Sequence, residues 1–296
     1  MPGKNFVSQF SKPLPAFKAG LGWRGPYHGE TDMNEPANIP VFILCGGLGT
    51  RIKEETEFRP KPMVPIGEHP ILWHVMQVYA RHGFRRFVLC LGFRADVVKD
   101  YFSNFRLRNT DSTINLRTNK ITVHEHHHQL DWEVTLAFTG EKSQTGSRVA
   151  QAARKYLGAA RHFAVTYGDG LTDMDLAKEF RLHLAGKKLG TVLGVNPPSR
   201  FGEIKVDGDR AVEFAEKPDL EGHWINAGFF FFQRDFLKRL SEDDSCVLER
   251  EPLVQLARDG QLNICKHQGF WACMDTQRDR DFLTKLVESG QPPWLK

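Results

Sequence analysis

Apolar positions along this chain fall into short continuous runs that alternate with segments of helical period. Val41-Phe42-Ile43-Leu44-Cys45 and Phe87-Val88-Leu89-Cys90-Leu91 are apolar without interruption, the pattern of strands covered on both faces. Between them, Ile71, Leu72, Val75, Met76 and Tyr79 recur at helical spacing and Gly83 follows, which predicts a helix over 71–82. A second helix is predicted over 95–102. This β-loop-α-β-α order implies right-handed crossovers and a largely parallel sheet. Ligands of such sheets bind beyond the C-terminal ends of the strands. Residues 113–138 alternate like the strands of β-hairpins. Beyond them, 147–157 reads as a helix, 163–167 as a buried strand running into Gly168-Asp169-Gly170, and 174–185 as a helix. Strands are predicted at 191–195, 203–206, 211–214 and 225–232, and the C-terminal part reads as two helices around a strand at 262–266.

Residues 1–38 stand apart. Neither period is visible in them, and Phe6, Phe10, Phe17, Trp23 and Tyr27 are scattered among prolines and glycines. They read as an N-terminal extension, either partly disordered or an arm packed on a neighbouring subunit, since so many aromatics are costly to leave wet. Residues 39–296 read as one domain, and the chain is long enough for a sizeable α/β core. No apolar run approaches the roughly 18–20 residues that span a bilayer, and no apolar signal segment opens the sequence, so no membrane partner is expected. The five cysteines are scattered without C-x-x-C spacing, which predicts a reduced, cytoplasmic protein. A net charge of +4 is too mild to imply nucleic acid and suits a pocket for small anions equally well.

The chemistry concentrates after the first strand. Gly46-Gly47-Leu48-Gly49-Thr50-Arg51 is a glycine-rich loop whose backbone N–H groups can approach phosphate oxygens. It is not a Walker A loop, which requires G-x-x-x-x-G-K-[ST], and it lacks the third glycine of the dinucleotide fingerprint. Arg51 lies within it, and Arg59-Pro60-Lys61-Pro62-Met63 follows. Flanking prolines restrict the backbone around Lys61, and an Arg and a Lys aimed at one loop mouth suit a triphosphate. Asp169, at the end of a buried strand, and Asp275, before the final helix, could be a turn residue and a helix cap. Beside a triphosphate loop, two carboxylates also suit one octahedral Mg²⁺ that shares phosphate oxygens.

These segments, with Pro70-Ile71-Leu72-Trp73-His74, recur in the order in which they stand in the bacterial sugar-1-phosphate nucleotidyltransferases. Residues 39–296 resemble that family, most of all its glucose-1-phosphate cytidylyltransferase branch. The resemblance implies a Rossmann-like, mostly parallel mixed sheet flanked by helices, with small β-hairpin insertions. It implies a nucleotide site at Leu44, Cys45, Gly46, Gly47, Leu48, Gly49, Thr50, Arg51, Lys61, Thr145, Gly146 and Gly168, with Arg51 and Lys61 catalytic. It implies Mg²⁺ on Asp169 and Asp275, and a sugar-phosphate site at Arg200, Glu216, Lys217 and Asn226, with Thr145-Gly146 as a turn beside the substrates. CTP and glucose 1-phosphate would give CDP-glucose and pyrophosphate. A homo-oligomer, in relatives a hexamer, would supply surface polysaccharide such as the O-antigen of lipopolysaccharide.

Two positions depart from the relatives: Cys45 stands where many carry Ala, bringing a thiol near the base, and Ser147 where cytidylyltransferases tend to carry Gly. The run His124-Glu125-His126-His127-His128 puts alternate histidines on one strand face but lacks the helical H-E-x-x-H spacing of a metalloprotease, and it reads as a solvated strand or subunit contact. Uridylyl or thymidylyl transfer, and a catalytically silent relative that binds a nucleotide sugar, remain alternatives.

Overall fold

The computed structural model describes residues 34–47, 49, 53–124, 130–196, 203–215 and 222–296. The described residues all fall in one compact unit, and the expected N-terminal extension lies, up to residue 33, outside them. Pro36–Asn38 form a 3-10 turn in front of the first strand, tied down by Arg86, whose Nη1 donates to Asn38 O at 3.1 Å.

Along the chain, strand β1 (Pro40–Leu44) leads through the glycine-rich segment to the one-turn helix α1 (Lys53–Thr56) and a 3-10 turn at Lys61–Met63. A short ladder of β2 (Pro65–Ile66) and β3 (His69–Pro70) enters α2 (Ile71–Ala80), followed by β4 (Arg86–Leu91), α3 (Ala95–Ser103) and α4 (Phe105–Arg108). A hairpin of β5 (Ser112–Asn115) and β6 (Lys120–Val123) precedes β7 (Glu133–Phe138), and α5 (Thr145–Tyr156) then leads to β8 (His162–Tyr167) and β9 (Gly170–Thr172). After α6 (Leu176–Gly186) come β10 (Gly190–Val195), the hairpin of β11 (Glu203–Asp207) and β12 (Arg210–Ala215), and β13 (Ile225–Gln233). The chain closes with α7 (Glu251–Arg258), β14 (Leu262–His267), β15 (Trp271–Cys273) and α8 (Gln277–Glu288).

Seven strands form the central sheet in the order β14-β10-β13-β8-β1-β4-β7. β13 pairs antiparallel on both sides, and the other pairings are parallel, giving the mixed, mostly parallel sheet expected. Strand alternation divides the core. Val41 and Ile43 of β1, with Phe229 and Phe231 of β13, face α2 and α6, while Phe42 and Leu44, with Phe230 and Phe232, face α5. Both faces are covered by helices, which is why the strand sequences are continuously apolar.

Two expectations are corrected. β7 is not a hairpin strand: it runs parallel to β4 at the sheet edge, and its half-exposed position produces the alternation that mimics a hairpin. Thr145 and Gly146 are not a turn but the first residues of α5.

The C-terminus locks onto α2. Trp294 is fully buried, and its Nε1 donates to His74 Nδ1 at 3.3 Å. His74 Nε2 lies 3.0 Å from the Ile66 carbonyl. A carbonyl only accepts, so Nε2 carries the proton and the ring is neutral. Burial pushes the His74 pKa down to about 4. His183, fully buried on α6, is pushed down to about 3 by burial and by His162. Both rings regain a value near 6.5 on unfolding. The unfolded chain therefore takes up more protons below that pH, and stability present above pH 6.5 is lost as the pH falls toward the folded values. Urea unfolding is expected to give lower stability at pH 5 than at pH 7.5. His74→Gln should reduce the difference by about 1–2 kcal/mol.

Candidate active site

The candidate site lies beyond the C-terminal ends of two adjacent parallel strands, β1 and β8, where Leu44 pairs with Tyr167. β4 and β7 build the sheet outward on one side of β1, and β8 starts the other side. That reversal opens a crevice of the kind ligands use in α/β sheets. β1 runs into Cys45-Gly46-Gly47, and β8 runs into Gly168-Asp169.

Asp275 reaches the same place by a short antiparallel ladder. β15 pairs with β9, Cys273 opposite Gly170, and Met274 N donates to Asp169 O at 3.0 Å. This ladder sets the two aspartates side by side. Asp275 is not the cap of α8. Thr276 is the N-cap, in a reciprocal capping box with Asp279, so the carboxylate of Asp275 faces the site.

Lys61 joins the pair. Its Nζ lies 2.6 Å from Asp169 Oδ2 and 2.7 Å from Asp275 Oδ1. Burial favours the neutral amine, but the Asp169 charge and the hydrogen bonds to both carboxylates outweigh it and raise the pKa above the ordinary lysine value. The ammonium is thus charged and fixed. Cys273 Sγ donates to Asp275 Oδ2 at 3.2 Å. Burial, then Asp275, pushes that thiol up to about 12, so it stays a donor.

The glycines around this centre answer to close approaches. At Gly168 a Cβ would lie 2.7 Å from Pro62 Cγ and 3.0 Å from Leu44 O, so only glycine lets the Lys61 segment lie against β8. Gly49 has φ +60°, and a Cβ there would lie 3.0 Å from Lys61 Cβ. At Gly46 a Cβ would meet the guanidinium of Arg148, 2.2 Å from Nη1.

Arg148 carries no motif signature and is absent from the sequence reading. It is buried on α5, and its Nη2 donates to Gly46 O at 2.9 Å. Nη1 donates to Gly140 O at 2.6 Å, Thr139 Oγ1 at 2.9 Å and Leu91 O at 3.1 Å. Its hydrogen-bond acceptors among the described residues are carbonyls and a hydroxyl, with the Asp244 carboxylate acting on it electrostatically, and its positive charge beneath the loop favours an anion above.

On the other side of Tyr167, Asn226 Oδ1 accepts from Gly228 N at 2.8 Å, and its Nδ2 lies 3.4 Å from the Tyr167 hydroxyl. Tyr167 donates to Glu249 Oε1 at 2.5 Å, and Thr145 donates to Glu249 Oε2 at 2.6 Å. Glu249, from an irregular loop with no periodic signal, is a second residue missed from sequence. Gly146 packs against the same loop, where a Cβ would lie 2.7 Å from Cys246 Sγ.

Leu44, Cys45, Gly46, Gly47, Gly49, Lys61, Thr145, Gly146, Gly168, Asp169, Asn226 and Asp275 thus ring one end of the sheet. The side chain of Cys45 packs into the core, so its thiol is not presented to a base. Ser147 is buried, and its hydroxyl donates to Glu242 O at 2.9 Å, which directs it toward the loop that carries Glu249. Leu48, Thr50, Arg51, Arg200, Glu216 and Lys217 lie outside the described residues, as do 125–128 of the histidine run. His124 is exposed and lies 2.9 Å from Thr113 Oγ1.

Residues 40–272 match the family described as Nucleotidyl transferase. The chain belongs to the nucleotidyl transferase family. This transferase is 42% identical over 256 residues to a glucose-1-phosphate cytidylyltransferase of Salmonella typhi, covering 86% of this chain and 98% of that one. It is 27% identical to a mannose-1-phosphate guanylyltransferase catalytic subunit beta of Danio rerio, over 84% of this chain and 64% of the other. Among solved structures, HddC from Yersinia pseudotuberculosis shares the fold, with a TM-score of 0.59 at 23% identity over 84% of this chain and 99% of that one.

Two substitutions test the packing of the transferase's site. Arg148→Met leaves several buried acceptors unpaired and should cost about 3 kcal/mol in urea unfolding. Gly168→Ala forces Pro62 away from β8 and should lower turnover at least about ten-fold through misplacement of Lys61, with a smaller change in melting temperature than Arg148→Met.

Proposed function

We propose that this transferase moves a cytidylyl group from CTP to glucose 1-phosphate, giving CDP-glucose and pyrophosphate. The observation that carries the reading is the convergence of Lys61, Asp169 and Asp275 on one point at the mouth of the glycine-rich loop. The close similarity to a glucose-1-phosphate cytidylyltransferase supports the choice of substrates.

The two carboxylates suit a divalent ion. They already share one cation, the Lys61 ammonium, and hard anionic oxygens of this kind are the donors that Mg²⁺ takes. Asp169 and Asp275 would hold the ion, which would supply positive charge to the reacting phosphates. The backbone of Gly46, Gly47 and Gly49, above the buried Arg148, cradles the triphosphate. Lys61, released from the carboxylates, turns to the α-phosphate, and Arg51 supports it. The sugar phosphate attacks the α-phosphorus in line and pyrophosphate leaves. No general base is needed, because a phosphate monoester with a second pKa of about 6 is largely dianionic at neutral pH. The protein's contribution is position and charge.

Arg200, Glu216, Lys217 and Asn226 hold the sugar phosphate in this reading. Its environment is a reducing cytoplasm, consistent with five free cysteines, and its working form a homo-oligomer whose product feeds surface polysaccharide.

Pyrophosphate release with CTP, UTP and dTTP, each with glucose 1-phosphate, tests the reading. CTP should give the highest kcat/KM, and a value for UTP or dTTP equal to or above it overturns the cytidylyl assignment. Asp169→Asn and Asp275→Asn should each lower turnover roughly a thousand-fold with unchanged circular dichroism. Calorimetry should show Lys217→Ala weakening glucose 1-phosphate more than CTP.

A further inference from the structure

Lys61–Asp275 is not the only ionic link between the loop segment and the C-terminal segment. Six residues before Lys61, Glu55 of α1 pairs with Arg280 of α8, five residues after Asp275. The two segments are 225 positions apart in sequence at this pair and 214 at the inner one. They are joined as a two-rung ladder with both rungs ionic.

The outer rung reaches the chemistry through packing on each side. Thr56, next to Glu55, donates its hydroxyl to Gly49 O at 3.0 Å, and Gly49 lies against Lys61 Cβ. Position of α1 therefore sets the glycine-rich loop and the root of Lys61 together. On α8, Arg280 N donates to Thr276 O at 3.1 Å, one turn from the cap that follows Asp275 directly. The side chains of Arg280 and Glu55 are 27% and 23% exposed, against 52% and 46% for the surface pair Arg154–Glu242. Solvent and salt screen the Glu55–Arg280 pair less.

The inner rung cannot persist through the reaction proposed above. Once a divalent ion takes the two carboxylates and Lys61 turns to phosphate, the direct contact between Lys61 and Asp275 is given up. We propose that Glu55 and Arg280 are positioning residues, an outer clamp that keeps the loop and Asp275 in register while the ammonium is exchanged for metal and triphosphate. The clamp rests on the proposed reading of the site, and it acts on the metal–nucleotide complex rather than on the sugar.

Steady-state kinetics of Glu55→Gln and Arg280→Met test it, assayed with the triphosphate that the wild type uses best. Each variant should raise the KM for the triphosphate about ten-fold and the Mg²⁺ requirement in parallel, with kcat and the KM for glucose 1-phosphate near wild type. Arg280→Lys should keep most of the function, and the charge swap Glu55→Arg with Arg280→Glu should bring the triphosphate KM back toward wild type. A triphosphate KM unchanged in both single variants overturns the clamp. So does a rise in both KM values together with a lowered melting temperature and no recovery in the swap, which marks a purely structural pair. A best triphosphate other than CTP corrects the cytidylyl reading alone, since the clamp is then judged with that nucleotide.

Discussion

The site depends on one shared charge: the Lys61 ammonium held between Asp169 and Asp275. Two carboxylates at such close quarters repel each other, and mostly buried ones do so in a medium that screens poorly. The lysine resolves that repulsion and is itself kept charged by it. A site of this kind is preassembled for a cation. In the proposed reaction Asp169 and Asp275 would hold a metal ion, and the Lys61 ammonium would turn from carboxylate to phosphate.

Everything else in the fold can be read as support for that contact. The parallel neighbours β1 and β8 bring the glycine-rich loop and Asp169 to one edge. The β9–β15 ladder delivers Asp275 from the far end of the chain. Glycines at 168 and 49 let backbone and Lys61 approach where a Cβ would collide or be strained. Arg148 holds the carbonyl of Gly46 from below, so the loop is fixed from its buried side, and its open side remains for the ligand.

Much of this architecture was legible in the sequence because strong, local signals carried it. β1, β4 and β8 are buried on both faces and read as unbroken apolar runs. The Gly-rich loop, the Lys61-Pro62 pair and Asp169 between glycines are short motifs with a physical reason for their composition. What the sequence concealed depends on long-range packing. β7 alternates because it is an edge strand, and alternation alone does not distinguish an edge from a hairpin. Thr145 and Gly146 looked like a turn because glycine is a poor helix former, yet here it is needed for the close approach of the Cys246 loop. Arg148 and Glu249 sit in no motif, and their importance comes from acceptors and donors that lie up to about a hundred residues away. The cap of α8 also depended on which of two adjacent residues, Asp275 or Thr276, folds back on the helix.

The most direct test of the shared-charge account is divalent-metal binding without nucleotide. Mn²⁺ affinity can be followed by water-proton relaxation in the wild type, Lys61→Met and Asp169→Asn. If the ammonium occupies the position of the metal, removing it frees both carboxylates, and Lys61→Met should bind Mn²⁺ more tightly than the wild type, while Asp169→Asn binds it more weakly. Equal or weaker Mn²⁺ binding by Lys61→Met would contradict the account.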